Sequence, residues 1–103
     1  MNNNKLPEPF KSDWIKALQS GKYKQGKSRL YRTKDDTYCC LGVAEHILGT
    51  PNEQLRGVGM PQDLKGYSRF PAGLSNCIIN LLANMNDRGV TFEHIADYIE
   101  ENL

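Results

Sequence analysis

The stretch of the chain with the most evident chemistry is GKYKQGKSRLYRTK, residues 21–34, which holds six basic residues and no acidic one. Cations interleaved with tyrosines can hold phosphate groups while an aromatic ring stacks on a base. The predicted ligand-binding residues of this basic segment (residues 21–34) are Lys22, Tyr23, Lys24, Gln25, Lys27, Arg29, Tyr31 and Arg32. Gln25 is expected to supply specificity, since its amide can both donate and accept hydrogen bonds. In a later loop, Tyr67, Ser68 and Arg69 are expected to close over the ligand, as lids do.

The basic segment also contains the letters of a phosphate-binding P-loop, because Gly21 and the run Gly26-Lys27-Ser28 fit G-x-x-x-x-G-K-[ST]. A P-loop lies between a buried strand and a helix, whereas here a helix is predicted before the segment and an arginine-rich strand after it. The pattern therefore favours a general anion-binding surface over a P-loop. The same charges are equally compatible with a solvated basic face that partly neutralises acidic helices of the same fold.

Two adjacent cysteines, Cys39 and Cys40, could act as a nucleophile, a metal ligand or a redox pair. Together with Cys77, His46 and His94, the two cysteines would be numerous enough to hold a zinc ion, but no pair of these residues has the spacing of a zinc site. Neighbours on a strand face opposite sides, so we expect one thiol of the pair in the core and the other on the far face. This interpretation predicts no enzyme, no metal and no cofactor.

Charge is distributed unevenly along the 103 residues, although the formal net charge is only +1. Residues 1–34 carry nine Lys and Arg against two acidic residues, and residues 35–103 carry four against ten. This asymmetry favours an anionic partner, or oppositely charged surfaces that meet within or between subunits. The N-terminus has no signal-peptide pattern and no apolar run reaches membrane-spanning length, so we expect a soluble, intracellular protein with reduced thiols.

Apolar periodicity and capping residues predict an α+β fold in one domain, residues 1–103, with a small β-hairpin sheet packed by three to four helices. Residues 1–9 are expected to be a flexible tail, and residues 49–73 a long variable loop. The first predicted element is a helix capped by Ser12 and ended by Gly21, and a hairpin follows with strands near 30–31 and 37–41 and a turn at 34–36. A helix is predicted over 42–48, then a short helix after a Thr50 capping box, a strand near 58–60 and a helical turn at 61–64. The last two predicted helices are capped by Ser75 and Thr91, with a turn at 86–89 between them.

Three motifs in fixed order, WIKALQSGKYKQG at residues 14–26, YCCLGV at 38–43 and MNDRGVTFEHIADYIE at 85–100, resemble a widespread group of small bacteriophage-encoded proteins of uncertain function. The pattern of that group is W-x-x-A-L-x-S-G-x-Y-x-Q-G, then C-C-L-G-V, then L-N-D-x-G-x-S-F-x-x-I-A-D-x-I-E. Met85 and Thr91 depart from it, where Leu and Ser are usual. The resemblance implies a phage origin and an accessory role in the cytoplasm of the infected host, and it implies no particular reaction.

The basic segment and the resemblance together lead to a functional hypothesis. We expect a counter-defence protein that binds and sequesters a small anionic ligand, such as a cyclic nucleotide immune signal, without hydrolysing it. A homo-oligomer is expected, because a small domain forms a deep pocket more easily at a subunit boundary. Two alternatives stay open: an inhibitor that binds a host defence protein, for example a CRISPR or other nucleic-acid-directed effector, through the basic hairpin, and a single-stranded nucleic-acid binder. An enzyme that uses Cys40 with a histidine is not favoured.

Overall fold

The computed structural model describes residues 6–64 and 75–103. Its elements are helix α1 (Phe10–Gln19), strands β1 (Tyr31–Arg32) and β2 (Thr37–Tyr38), helices α2 (Cys40–Ile47) and α3 (Asn52–Leu55), a 3₁₀ turn (Pro61–Leu64), and helices α4 (Asn76–Asp87) and α5 (Phe92–Asn102). The two strands form an antiparallel hairpin, which confirms the predicted α+β fold. None of the described helices is long and apolar enough to cross a membrane.

Helix α1 lies against α5 and α2, and α2 also contacts α4, so the four longer helices enclose one core. Trp14 of α1 is fully buried, and its indole Nε1 donates a hydrogen bond of 3.0 Å to the Cys40 carbonyl at the start of α2. The predicted apolar side of α5 is buried throughout, at Phe92, Ile95, Ala96, Ile99 and Leu103. Burial of this stripe is what holds α5, a helix with an acidic outer side, in place.

The predicted N-caps of the last two helices are confirmed. Ser75 Oγ accepts from the Ile78 amide at 3.2 Å, and Thr91 Oγ1 accepts from the His94 amide at 3.3 Å. Each hydroxyl thereby satisfies one of the amide groups that have no partner within the first turn of a helix. Gly89, between the two helices, has a φ of +93°, which glycine adopts without strain.

The prediction that Ser12 caps the first helix is wrong. Helix α1 begins at Phe10 with Pro9 in the N-cap position, and Ser12 lies inside its first turn. The carboxylate of Glu8 accepts from both the Ser12 amide and the Ser12 hydroxyl, at 3.0 and 2.9 Å. An acidic side chain ahead of the helix therefore does what the serine was expected to do.

Leu6 is packed against the body of the protein, although the sequence predicted a flexible tail over residues 1–9, of which residues 1–5 lie outside the described residues. Leu6 is buried, and its amide donates to the carbonyl of Leu103 at 2.8 Å. The Pro7 carbonyl accepts from the Lys11 amide at 3.0 Å. The apolar side chain of Leu6 gains more from burial against the C-terminal helix than it would as part of a free tail.

The second strand is shorter than predicted, because β2 ends at Tyr38 and α2 begins at Cys40. Cys39 is the N-cap of α2, and its Sγ accepts from the Gly42 amide at 3.4 Å. Both Cys39 and Cys40 are buried, so the prediction that one of them lies on the far face of a strand is wrong. The change from strand to helix turns both side chains into the core.

The loop after α2 contains two short helical segments, as predicted, but Thr50 does not cap the first of them. Its hydroxyl donates instead to the buried carboxylate of Glu45 at 2.8 Å. Val58 lies in no strand, although its carbonyl accepts from the Leu30 amide at 2.7 Å. The 3₁₀ turn at Pro61–Leu64 is confirmed, and the remainder of the predicted loop, residues 65–73, lies outside the described residues.

Candidate anion-binding groove

The basic segment is attached to the body of the protein through the side chain of Gln25. Its Nε2 donates to Asn86 Oδ1 at 3.0 Å and to the Val90 carbonyl at 2.7 Å. Its Oε1 accepts from the Phe92 amide, at the first turn of α5, at 3.1 Å. These bonds engage the amide that was predicted to recognise a ligand. In the structure Gln25 positions the segment that carries the cations.

Asn86, at the end of α4, is the second anchor of the segment. It is fully buried, accepts from the Cys40 amide at 3.1 Å and donates to the Gly26 carbonyl at 2.7 Å. The neighbouring Asp87 accepts from the amide of Ser28, whose φ is +71°, at 2.9 Å. The sequence pattern predicted a turn at this Asn-Asp pair, and the partners that the pair binds lie 46 to 61 residues away in the chain.

Backbone pairing brings a distant cation to the hairpin. Strand β2 has a neighbour on both sides, since Tyr38 lies opposite Tyr31 of β1 and its amide and carbonyl bond with the backbone of residues 24 and 26. On the outer side of β1, Tyr31 forms a parallel bridge with Arg56, and the Gly57 amide donates to the Tyr31 carbonyl at 3.3 Å. Arg56 therefore lies beside β1, although it follows α3 and is not part of the basic segment.

These segments border an open groove of about 280 Å³ at the hairpin. We call it the basic groove, and its lining residues are Arg29, Tyr31, Arg32, Thr33, Lys34, Arg56 and Gly57. Three of the predicted site residues, Arg29, Tyr31 and Arg32, are brought together in it. Lys34 and Arg56 were missed. Lys34 could have been included from the composition of the segment, whereas Arg56 enters the groove only through its pairing with β1.

Two carboxylates of the hairpin turn lie next to groove side chains. Asp35 Oδ1 is 3.7 Å from Arg32 Nε, and Asp36 Oδ1 accepts from the Tyr31 hydroxyl at 2.7 Å. A hydrogen bond from the Thr37 hydroxyl, together with the nearby Arg32 charge, lowers the pKa of Asp35. The hydrogen bond to Asp36 raises the pKa of Tyr31, because it favours the protonated phenol. At neutral pH the Asp35 carboxyl is therefore ionised and Tyr31 is neutral.

The other predicted site residues that the structure describes do not line the basic groove. Lys22, Lys24 and Lys27 are exposed but do not line it. Tyr23 is half-buried, and its ring makes edge contacts with Tyr38 and His46 at centroid distances of 5.2 and 5.5 Å. It packs against these two rings and does not line the basic groove. Tyr67, Ser68 and Arg69, the predicted lid, lie outside the described residues.

Residues 6–69 match the family described as "Domain of unknown function (DUF8296)". The chain belongs to this family. The part that matches the DUF8296 family contains every residue of the basic groove, while α4 and α5 lie beyond it. No curated protein and no solved structure gives a significant match to the chain.

The cysteines of this DUF8296 chain occupy two different environments. Burial raises the pKa of the Cys39 thiol to about 11 and that of Cys40 well above its usual value. Cys40 Sγ donates to the Leu82 carbonyl at 3.5 Å inside the core, whereas Cys77 is exposed on α4. A buried, protonated thiol is a poor nucleophile. Within residues 6–64 and 75–103, no group of three or more Cys, His, Asp and Glu is arranged to hold a metal ion.

Proposed function

We propose that the protein binds a small phosphorylated ligand in the basic groove, stoichiometrically and without hydrolysing it. The observation that carries this proposal is the convergence of four cationic side chains around Tyr31: Arg29, Arg32, Lys34 and Arg56. Guanidinium groups pair with phosphate in two-pronged geometry, and a tyrosine ring offers a face on which a base can stack. The chemistry of the groove is thus that of a site for a nucleotide.

The charge balance of the groove supports an anionic occupant. Between residues that the structure describes, one ion pair is formed, and it joins Arg32 to Asp35. Lys34 and Arg56 form no ion pair with a described residue, and Arg29 Nη1 donates only to the Ser28 carbonyl. Positive charge that is not neutralised locally creates a potential that attracts anions and raises their rate of association.

The size of the groove supports a ligand no larger than one nucleotide unit per chain. Its volume of about 280 Å³ lies just below the range of roughly 300–1,000 Å³ that is typical of ligand pockets. We therefore propose that a second copy of the chain completes the site, so that the protein acts as a homo-oligomer. A cyclic nucleotide with two or more units would be held between the grooves of the two copies.

The biological part of the proposal rests on the resemblance to small phage-encoded proteins. A phage accessory protein that sequesters a nucleotide signal in the host cytoplasm would suppress a defence pathway without any catalytic step. Burial of Cys39 and Cys40 is in keeping with this, because it withdraws both thiols from solution.

A thermal-shift screen tests the proposal, with cyclic di- and oligonucleotides, single-stranded DNA and single-stranded RNA at near-physiological salt. We expect particular nucleotides to raise the melting temperature of the wild-type protein. The variant Arg29→Ala/Arg56→Ala should lose this shift. The variant Lys22→Ala/Lys27→Ala removes the same charge outside the groove, and it should keep most of the shift.

Other outcomes of the screen contradict the proposal in different ways. Equal loss of the shift in both double variants would mean that net charge, and not the groove, determines binding. Stabilisation only by long single strands, with a steep dependence on salt, would favour a nucleic-acid binder. No stabilisation by any compound would favour the inhibitor of a host protein, and a pull-down from infected-cell lysate would then be the next experiment.

A further inference from the structure

We infer that Asp35 is an internal competitor for the basic groove: its carboxylate pairs with Arg32 in the free protein, and a phosphate group of the ligand takes its place. This inference rests on the proposed function, because it concerns the same site. It identifies Asp35 as a residue that sets the affinity of the groove, although Asp35 does not line it.

The ion pair between Asp35 and Arg32 is long and exposed, so a ligand phosphate can replace the Asp35 carboxylate. The two charged atoms, Oδ1 and Nε, are 3.7 Å apart, which is longer than the 2.7–3.2 Å of a good hydrogen bond. Each of the two side chains is 39% exposed, so water screens their attraction. Exposed ion pairs of this kind are weak. A phosphate that pairs with the guanidinium through two oxygens forms a stronger contact and displaces the carboxylate.

Asp35 cannot move far from the groove when it is displaced. The hydroxyl of Thr37 donates to Asp35 Oδ1 at 2.8 Å, and Thr37 itself is buried on β2. That hydrogen bond also keeps the pKa of Asp35 below its usual value, so the side chain stays ionised near neutral pH. In the free protein a negative charge is therefore held next to Arg32, and an anion must displace it from Arg32 in order to bind, which lowers the affinity.

The next residue in the turn provides a matched control. Asp36 carries the same charge, but its carboxylate accepts from the neutral Tyr31 hydroxyl and contacts no cation of the groove. Its φ of +56° is one that asparagine tolerates well. In Asp35→Asn and in Asp36→Asn, an amide oxygen can still accept the hydrogen bond from Thr37 or Tyr31. The two variants thus remove one charge from the same turn, and only Asp35→Asn removes the contact with Arg32.

The test is a titration of the ¹⁵N-labelled full chain with inorganic pyrophosphate at 0.15 M salt, followed through the arginine Nε–H signals by nuclear magnetic resonance. The Arg32 signal is assigned with an Arg32→Lys variant. We expect Asp35→Asn to bind pyrophosphate about two- to fivefold more tightly than wild type, which matches the strength of an exposed ion pair. Asp36→Asn should change the affinity much less. The Arg32 signal should also shift in free Asp35→Asn, and not in free Asp36→Asn.

The remaining outcomes separate failure of this inference from failure of the proposed function. Unchanged or weaker binding by Asp35→Asn would overturn the inference alone, and weaker binding would mean that Asp35 orients Arg32 for the ligand. Equal tightening in both variants would also overturn it, because long-range charge would then be the cause. If wild type binds no pyrophosphate, or if Arg29→Ala/Arg56→Ala binds it as tightly as wild type, the proposed function itself is contradicted.

Discussion

Two amide side chains, Gln25 and Asn86, determine at the scale of single residues where the basic segment lies. They are hydrogen-bonded to each other and to the backbone of the segment, of α2, of the turn before α5 and of α5 itself. Neither side chain has a buried polar atom without a partner. Because a buried amide that loses its partners carries a large desolvation penalty, this pair is sensitive to substitution.

We predict that Asn86→Ala destabilises the protein by about 2–4 kcal/mol, because it leaves the Cys40 amide and the Gly26 carbonyl without their buried partner. Urea unfolding followed by circular dichroism measures the change. Asn84→Ala is the control, since Asn84 is exposed on the same helix. Similar unfolding midpoints for the two variants would contradict the role assigned to Asn86.

The raised pKa of Cys39 predicts a loss of stability at alkaline pH. The folded thiol titrates at about 11 and the unfolded thiol at about 9, so the folded state holds its proton more tightly. The favourable contribution is complete below pH 9 and is lost as the pH rises toward 11. Two pKa units correspond to about 2.7 kcal/mol at most.

This alkaline loss can be measured as the difference in unfolding free energy between pH 7.5 and pH 10.5. It should be smaller in Cys39→Ala than in wild type, and unchanged in Cys77→Ser, because Cys77 is exposed. An identical pH dependence in all three proteins would show that Cys39 is not the responsible group.

At the scale of elements, the start of α2 depends on the small size of Gly42. Helix α2 lies so close to the chain before β1 that a Cβ atom on Gly42 would collide with the carbonyl of Leu30. This close approach lets α2 begin directly after the hairpin, with Cys39 as its cap. The close approach also explains why the CCLGV motif contains a glycine. The other residues of the motif, from Cys39 to Val43, are all buried.

We predict that Gly42→Ala destabilises the protein by about 3 kcal/mol or more, because α2 must move away from the backbone of Leu30. Gly59→Ala serves as the control, since a Cβ there would approach its nearest neighbour, the Ser28 carbonyl, no closer than 3.4 Å. Thermal unfolding of the two variants provides the comparison. A Gly42→Ala protein that melts like Gly59→Ala would refute this explanation of the motif.

At the scale of the whole molecule, charge is segregated between the hairpin and the last helix. The basic groove gathers four cations, while α5 carries exposed acidic residues at 93, 97, 100 and 101. A molecule with nearly zero net charge thus presents one surface that attracts anions and another that repels them. This separation of charge favours one orientation of the protein as it approaches a charged ligand.

The proposal that two copies complete the site predicts a particle larger than the 11.7 kDa chain in solution. Light scattering coupled to size-exclusion chromatography should give a mass of at least two chains, and a nucleotide of the screen should strengthen the association. A single chain at every concentration, with and without nucleotide, would contradict the oligomer. It would leave the groove as an open, single-chain site.

The sequence alone determined the α+β class, the extents of α4 and α5, the caps Ser75 and Thr91, and the segment that carries the cations. These features depend on residues a few positions apart, so periodicity and composition are sufficient to predict them. Only the tertiary structure decided which cations share a groove, that both adjacent cysteines are buried, and that Gln25 positions the segment. Gln25 and Asn86 are 61 residues apart, and Arg56 joins β1 by backbone pairing. Such contacts form only when distant segments pack together, and no local pattern records them.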